Sequence, residues 1–470
     1  MTGLDGLDAQ VRADLAKLNY AAPTWVRPRD GMHDVVIVGG GQSGLGAAFG
    51  LLRERVSNIL VIDECAEGFE GPWDTYARMI TLRTPKSLTS IDLGVPSLTF
   101  RAWWEAQHGE AGWEALDKIP RRAWMDYLRW YRRVLGLPVR NQTRLTLIEP
   151  LGDGTHRLQI EGQPPLLARK VVLATGIHGG GHWHTPAMIK ERLPRQRYAH
   201  TSAAIDYAAL KGKRIAILGG GASAFDNAQH ALAEGVAEVH VFLRRPTFPR
   251  VNPIRFMEAS GLIGRFAALG DEAKYAAMAS FFARNQPPTN DTFTRAAAWP
   301  GFHLHLGSPW TDVSATPDGV LVTTPQGVHS FEFLVMSTGL VTDPALRPEL
   351  SLVAGDIACW RDRFTPPAEI ANPVIDVHPY LGPGFEFQPK TPEAAGKLHG
   401  LFAFNYSGLI SLGLSAAALS GLKYAIPRLV EGVANQLFLD DEAAAMRDYF
   451  DYAEPEFLCE WQAPAAGEAA

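Results

Sequence analysis

Asp34-Val-Val-Ile-Val-Gly39-Gly40-Gly41-Gln42-Ser43-Gly44 and Arg214-Ile-Ala-Ile-Leu-Gly219-Gly220-Gly221-Ala222-Ser223-Ala224 are two versions of one pattern in a single chain. Each is an apolar run, then a glycine-rich loop, then small residues at helical spacing, as where a strand turns into a helix. The first glycine (Gly39, Gly219) turns the chain sharply off the strand. The second (Gly41, Gly221) has no side chain to block a pyrophosphate. The third position (Gly44, Ala224) lets the helix pack closely, so its first N–H groups and its dipole face the phosphates. One such loop is weak evidence. Two in the same setting imply two bound dinucleotides, with electrons passing between them.

The strand after each loop should end in the residue that meets the adenosine ribose. Asn58-Ile-Leu-Val-Ile-Asp63-Glu64 ends in acid. A carboxylate accepts hydrogen bonds from a free ribose diol and repels a 2′-phosphate, which suits FAD or NAD. Asp63 is the first choice for this contact, with Glu64 the alternative. Glu238-Val-His-Val-Phe-Leu-Arg244-Arg245 ends in two cations instead. Their planar forks match the 2′-phosphate of NADPH, unless they are ordinary surface charges after a strand. The first loop, with Gln42 and Ser43, therefore reads as the FAD site. The second, with Ala222 and Ser223, reads as the NADPH site.

Two further strands, Lys170 to Ala174-Thr175-Gly176 and Phe331 to Ser337-Thr338-Gly339, end in a Thr-Gly pair. Small residues there let the chain pass close to a bound nucleotide. The expected fold is α/β, with two Rossmann-like domains, the second inserted in the first, and helical insertions in both. The expected order is an extension (1–33), the first part of the FAD domain (34–180), and a linker (181–212). The NADPH domain (213–340), the second part of the FAD domain (341–440) and a tail (441–470) follow. A Trp-rich insertion spans 70–140 and a helical one 247–300. Pattern also predicts a helix over Asp8–Leu18, a strand near Thr143–Ile148 and a helical region over Ser415–Leu437, which Pro427 starts or kinks.

A formal charge of −6 and the lack of a long Lys/Arg run argue against nucleic acid as a partner. Cys65, Cys359 and Cys459 are far apart, so no C-x-x-C dithiol relay exists, and free thiols fit a reducing cytoplasm. The N-terminus lacks the basic-then-apolar form of a signal peptide. Gly400 to Leu422 carries no charge, yet its glycines, serines, Asn405 and Tyr406 indicate a buried strand, loop and core helix rather than a membrane span. His178, His182 and His184, and His303 and His305, read as loop and strand-edge histidines, so no metal site is expected. No G-x-S-x-G elbow is present.

With Glu70-Gly-Pro-Trp73, the Pro85-Lys86 step, and Ser337-Thr338-Gly339 followed by Asp343, the chain resembles the class B flavoprotein monooxygenases over roughly 34–440. These are flavin-containing, Baeyer–Villiger and N-hydroxylating enzymes. The resemblance implies that NADPH reduces FAD and that the flavin captures O2 as a C4a-peroxide. One oxygen atom then passes to a small organic substrate at nitrogen, sulfur or a ketone. Two departures are visible. The F-x-G-x-x-x-H signature keeps only its histidine, in Pro194-Arg-Gln-Arg-Tyr-Ala-His200. His200 either lines the nicotinamide nucleotide or is a satisfied linker histidine. Where flavin-containing members carry an asparagine, this chain has Arg83. Three roles stay open for Arg83: stabilising an anionic peroxyflavin, binding a substrate carboxylate, or pairing structurally. Trp73 and Trp103 are candidates to line the flavin cavity, and the turn before Ser415 to aim a helix N-terminus at the flavin. A plain NADPH:flavin oxidoreductase, a ring hydroxylase and a redox sensor without turnover are the alternatives. Homo-oligomerisation stays open.

Overall fold

The computed structural model of the protein describes residues 3–461 except 21, 88 and 417. Continuous apolar runs with no alternation belong to strands buried on both faces, and here they form two parallel sheets. In the first, β1 (His33–Val38), β2 (Ile59–Ile62) and β3 (Val139–Arg140) lie parallel, with Val35 beside Ile59 and Val38 beside Ile62. The strands β4 (Leu145–Pro150) and β5 (His156–Ile160) run antiparallel into β6 (Gln163–Leu173), giving the order β3-β2-β1-β6-β5-β4. The eleven residues of β6 have two functions. The first half pairs with β5 as far as Ala168; the second half pairs with β1 from Ala168 to Leu173.

The chain then forms β7 (Gly181–Trp183), β8 (Tyr198–His200), β9 (Arg214–Leu218), β10 (Glu238–Phe242) and β11 (Phe302–His305). A meander follows, β12 (Asp312–Ala315), β13 (Val320–Thr324) and β14 (Gly327–Phe331), and then β15 (Phe333–Met336). The second sheet is wholly parallel, in the order β11-β10-β9-β15-β8. After β15 comes β16 (Leu340–Thr342), which pairs antiparallel with β7. Last, β17 (Leu401–Phe402) returns to the first sheet beside Val171 and Val172, where β5 has left β6 free.

Between Ala66 and Val139 the chain covers the first sheet with two helices. The helix Arg121–Leu135 buries Trp124, Met125, Leu128, Tyr131 and Leu135, at the three- and four-residue spacing of one face, and ends on Gly136 at φ 60°. Gly109, at φ 69°, kinks the other, Phe100–Ala115. The N-terminal helix runs Gly3–Lys17, earlier than the pattern indicates, and β4 starts two residues later. The helical region placed at Ser415–Leu437 is helix Leu419–Asp440, with Pro427 well inside it. Among the described residues, no helix is long and apolar enough to cross a membrane.

Neighbouring residues on β6, Arg169 and Lys170, are both fully buried. Arg169 donates to Asp441 at 2.8 Å and to the carbonyl of Leu437 at 3.2 Å; Lys170 pairs with Asp440 at 2.9 Å. These bonds fasten the end of the long helix to the first sheet. Burial pulls the Lys170 ammonium down to about 8. Burial opposes ionisation of Asp440 too, but His399 and Lys170 hold its carboxyl at about 2. A depressed carboxylate contributes stability above its unfolded value of 3.8 and loses it as the pH falls through 2. Replacing Asp440→Asn should leave Lys170 buried without a counter-charge and cost about 3 kcal/mol or more. Chemical denaturation at pH 7 measures this loss, and the variant should lose less than the parent on acidification.

Candidate active site

The two glycine loops adopt nearly the same conformation. Helices Gln42–Arg53 and Ala222–Ala233 start after Gly41 and Gly221, both at φ −74° and with ψ of −173° and 172°. Neither helix has a side-chain cap, so the N–H groups of each first turn face outward for an anion. A Cβ at Gly39 would lie 2.5 Å from the Ala174 carbonyl oxygen, and one at Gly219 2.2 Å from that of Ser337. A Cβ at Gly44 would come within 1.8 Å of the Gly39 oxygen, whereas the helix of the second loop accommodates Ala224, fully buried. At Gly41 the nearest atom is Gly71 Cα at 4.0 Å, and at Gly221 nothing is within 4 Å. These two open glycines leave the space a pyrophosphate requires.

Asp63 is buried at the end of β2 and accepts hydrogen bonds from Gly40 N–H at 2.7 Å and Cys65 N–H at 2.8 Å. That fixes its carboxylate against the first loop. Glu64 faces solvent and pairs with Arg144 at 3.4 Å. Gln42 accepts from Trp124 Nε1 at 3.1 Å, and Ser43 is buried beneath the turn. Beyond β10, Arg244 is exposed, while Arg245 donates to the Ala283 carbonyl at 3.3 Å. In the second helix Ser223 is exposed, and its carbonyl accepts from Asn227 Nδ2 at 2.8 Å.

Both Thr-Gly turns carry the same glycine conformation, φ 74° at Gly176 and 75° at Gly339. The Thr175 hydroxyl accepts from Asn405 Nδ2 at 3.1 Å; the Thr338 hydroxyl donates to the His184 carbonyl. After each turn the chain enters the β7–β16 ribbon, which thereby joins the ends of the two parallel sheets. Trp183 on this ribbon stacks on His200 (ring centroids 5.0 Å, 29°) and on His178 (5.8 Å, 28°), and meets the edge of Tyr76. Ser202 donates its N–H to His200 Nδ1, at 3.2 Å, so the ring proton lies on Nε2, which is buried and has no hydrogen-bond partner among the described residues. Burial pushes the His200 imidazole down to about 4, so it is neutral near pH 7. The aromatic spacing gives no sign of this column, and Tyr76, Trp183 and Asn405 are not legible as site residues.

Arg83 is one-third exposed and faces Asp226 of the second helix at 3.8 Å. Burial raises Asp226 to about 6. Of its three possible roles the geometry favours pairing, because the contact ties the segment after Trp73 to the second nucleotide helix. Lys118–Asp291 at 2.9 Å is a second tie of this kind. Trp73 is half-buried and packs on the first core. Trp103 is buried in that same core, in an aromatic cluster with Phe100 and Tyr127. The expectation for Ser415 needs correction. Gly413 (φ 73°) reverses the chain, Ser415 N–H bonds back to the Gly413 carbonyl at 2.7 Å, and the helix starts only at Leu419. Ser415 is buried under that first turn, against Gly421, rather than capping it.

The histidines of β10 and β11 do converge. Ligand atoms of Glu238, His240 and His303 lie within 4.8 Å of one another. However, Arg214 already holds the Glu238 oxygen that faces His240, and both His240 nitrogens are paired, with Glu238 and His305. A cation there would have to displace an arginine.

Comparison with known proteins agrees with this geometry. Family models match for FAD-NAD(P)-binding proteins over residues 36–178 and for L-lysine 6-monooxygenase/L-ornithine 5-monooxygenase over 114–277. The FAD-dependent urate hydroxylase of Xanthomonas campestris pv. campestris is 63% identical over 98% of this chain and 99% of its own. The chain belongs to the FAD-dependent flavoprotein monooxygenases. Among solved structures, the ornithine N-hydroxylase of Kutzneria sp. 744 shares the fold at TM-score 0.67 and 18% identity, over 86% of this chain and 99% of its own. The L-lysine 6-monooxygenase of Pseudomonas syringae does so at 0.66 and 17%, over 86% and 99%. The monooxygenase is thus an FAD- and NADPH-dependent oxidoreductase of α/β fold.

The two open glycines allow the loop assignments to be tested separately. Their φ of −74° tolerates a side chain, so Gly41→Val and Gly221→Val should both fold. The first should purify without flavin absorbance. The second should stay yellow but require about tenfold more NADPH, or greater, for reduction. Retention of FAD by Gly41→Val would reject the first assignment.

Proposed function

We propose that this monooxygenase hydroxylates urate, or a closely similar oxidised purine, at the expense of NADPH and O2. The observation that carries this reading is the 63% identity to a urate hydroxylase along almost the full length of both chains. The balance is substrate, NADPH, O2 and a proton in; hydroxylated substrate, NADP⁺ and water out. FAD, when bound, takes the hydride and activates the oxygen.

The chain's own residues bind, orient and exclude water. In this reading residues 34–180 and 341–440 hold FAD, and 213–340 hold NADPH. Gly39 to Gly44 and the first turn of the following helix receive the FAD pyrophosphate, with Asp63 on its ribose. Gly219 to Ala224 receive the NADPH pyrophosphate. Arg244, exposed and without a side-chain partner among the described residues, reads the 2′-phosphate; Arg245 is partly engaged elsewhere. Thr175, Gly176, Thr338 and Gly339 let the chain pass beside the two nucleotides. The column of Tyr76, Trp183 and His200 lies where the sheet ends meet and would line the nicotinamide nucleotide there. We place the enzyme in the cytoplasm, where NADPH is regenerated and its three unpaired thiols persist.

Urate should accelerate NADPH oxidation by the FAD-loaded enzyme, with one urate consumed per NADPH. NADPH oxidation that yields only hydrogen peroxide with urate would reject the substrate. Hydroxylation of L-ornithine or L-lysine instead would favour amine oxidation. Arg244→Ala should raise the Michaelis constant for NADPH about tenfold and leave that for NADH nearly unchanged.

His200 provides a test against pH. With its pKa depressed from 6.5 to about 4, it is uncharged throughout the working range. Flavin reduction by NADPH should therefore show no limb between pH 5 and 8 that depends on His200. A limb near 6.5 that disappears in His200→Gln would contradict the neutral imidazole.

A further inference from the structure

Arginines crowd the seam where the segment after Trp73 meets the second nucleotide helix, and most of the cations there already face an acid. Arg83 pairs with Asp226, and Lys118 with Asp291. Arg121 and Arg129 share Asp74, at 3.3 and 2.7 Å. Arg255 faces Glu258 at 3.1 Å and donates to the Arg83 carbonyl at 3.0 Å. Arg78 is the exception. It makes no ion pair among the described residues. Its Nη1 donates to the Thr75 carbonyl at 2.9 Å, within its own turn, and its Nε is buried with no hydrogen-bond partner among them. A guanidinium holds its N–H groups in one rigid plane. With Nη1 tied down, the Nε–Nη2 edge is left as a free fork, the shape that matches two adjacent acceptors on an anion. A buried donor without a partner costs stability, and an anion on the fork offsets that cost.

The place of the fork narrows what it can hold. Arg78 follows closely on Tyr76, which meets the edge of Trp183 at 6.1 Å in the aromatic column. Toward the second unit, burial first and then the Arg78 charge hold the His230 imidazole below its ordinary value, against the opposing effect of exposed Glu234. His230 therefore adds no cation near neutral pH. It lies well along helix Ala222–Ala233, about 12 Å from the first turn at 1.5 Å per residue. The NADPH phosphates belong to that first turn and to Arg244, and the FAD pyrophosphate to the other loop. An anion that meets Arg78 beside the aromatic column is the substrate.

We propose that Arg78 is a substrate-binding residue whose Nε–Nη2 edge takes the urate anion, an assignment that rests on urate being the substrate. Near neutral pH urate is a flat monoanion. Its charged ring nitrogen and the neighbouring carbonyl oxygen are two acceptors side by side, and the fork meets them with two parallel N–H groups and the opposite charge. A neutral purine of the same outline brings the shape without the charge, so Arg78 also discriminates between purines.

Binding is read by titrating the oxidised, FAD-loaded enzyme with urate, from the flavin spectrum and from the rise in thermal midpoint. Turnover is read from urate-dependent NADPH oxidation. Arg78→Gln should weaken urate binding about ten- to a hundredfold. Its flavin content, its thermal midpoint without urate and its Michaelis constant for NADPH should stay near those of the parent. Arg78→Lys keeps the charge without the fork and should recover part of the affinity. Unchanged urate affinity in Arg78→Gln, with the parent hydroxylating urate, would overturn the role of Arg78 and leave the substrate in place. A raised Michaelis constant for NADPH with urate affinity intact would put a nucleotide phosphate on the fork instead. Loss of flavin from both variants would make Arg78 part of the FAD site, and would overturn the proposal as well. A parent enzyme that neither binds nor hydroxylates urate would overturn both the substrate and the contact.

Discussion

At the start of each nucleotide loop a carbonyl oxygen occupies the place of a side chain. The Ala174 oxygen takes that place at Gly39, and the Ser337 oxygen at Gly219. Each contact brings the first strand of a unit against a strand that ends in Thr-Gly, far away in sequence. The pairings of β1 with β6 and of β9 with β15 follow the same approach. Any side chain at Gly39 or Gly219 would separate the loop from the turn beneath it. Because both turns lead into one ribbon, the two contacts together determine where the sheets meet and where Trp183 and His200 lie.

A different kind of force holds the C-terminal return. The long helix adds its apolar face to the first core, but its end is fixed by buried charge, with Arg169 and Lys170 facing Asp440 and Asp441. Such pairs seldom add net stability, since desolvation offsets attraction, but they penalise any arrangement that leaves one charge alone. They specify one docking of the helix. Arg83 and Asp226, further apart and partly solvated, link the two units more weakly.

The elements that sequence revealed best were those with strictly local causes. Gly39 to Gly44 and Gly219 to Ala224 stand out because a tight turn beside a phosphate allows few residue types. The runs that became β1, β2, β9 and β10 stand out because both faces of a parallel strand are buried. Boundaries were less legible. Hydrophobic pattern starts helix Leu419–Asp440 four residues early, because small and apolar residues continue through Gly413 and Ser415, whose backbone reversal leaves no mark in that pattern. For Trp103 the indole alone does not say which side of a helix layer it faces, and only packing puts it beside Phe100 and Tyr127.

By itself, the sequence determined the number of nucleotides, the order of the two loops and the charge that follows each, because these depend on residues adjacent in the chain. Only the tertiary structure decided which distant groups meet. It set Ala174 under Gly39, Asp226 opposite Arg83, Trp183 on His200, and Glu238 with His240 against Arg214. Those contacts depend on register, crossover and burial, which are properties of the packed sheets and are not encoded at any one position.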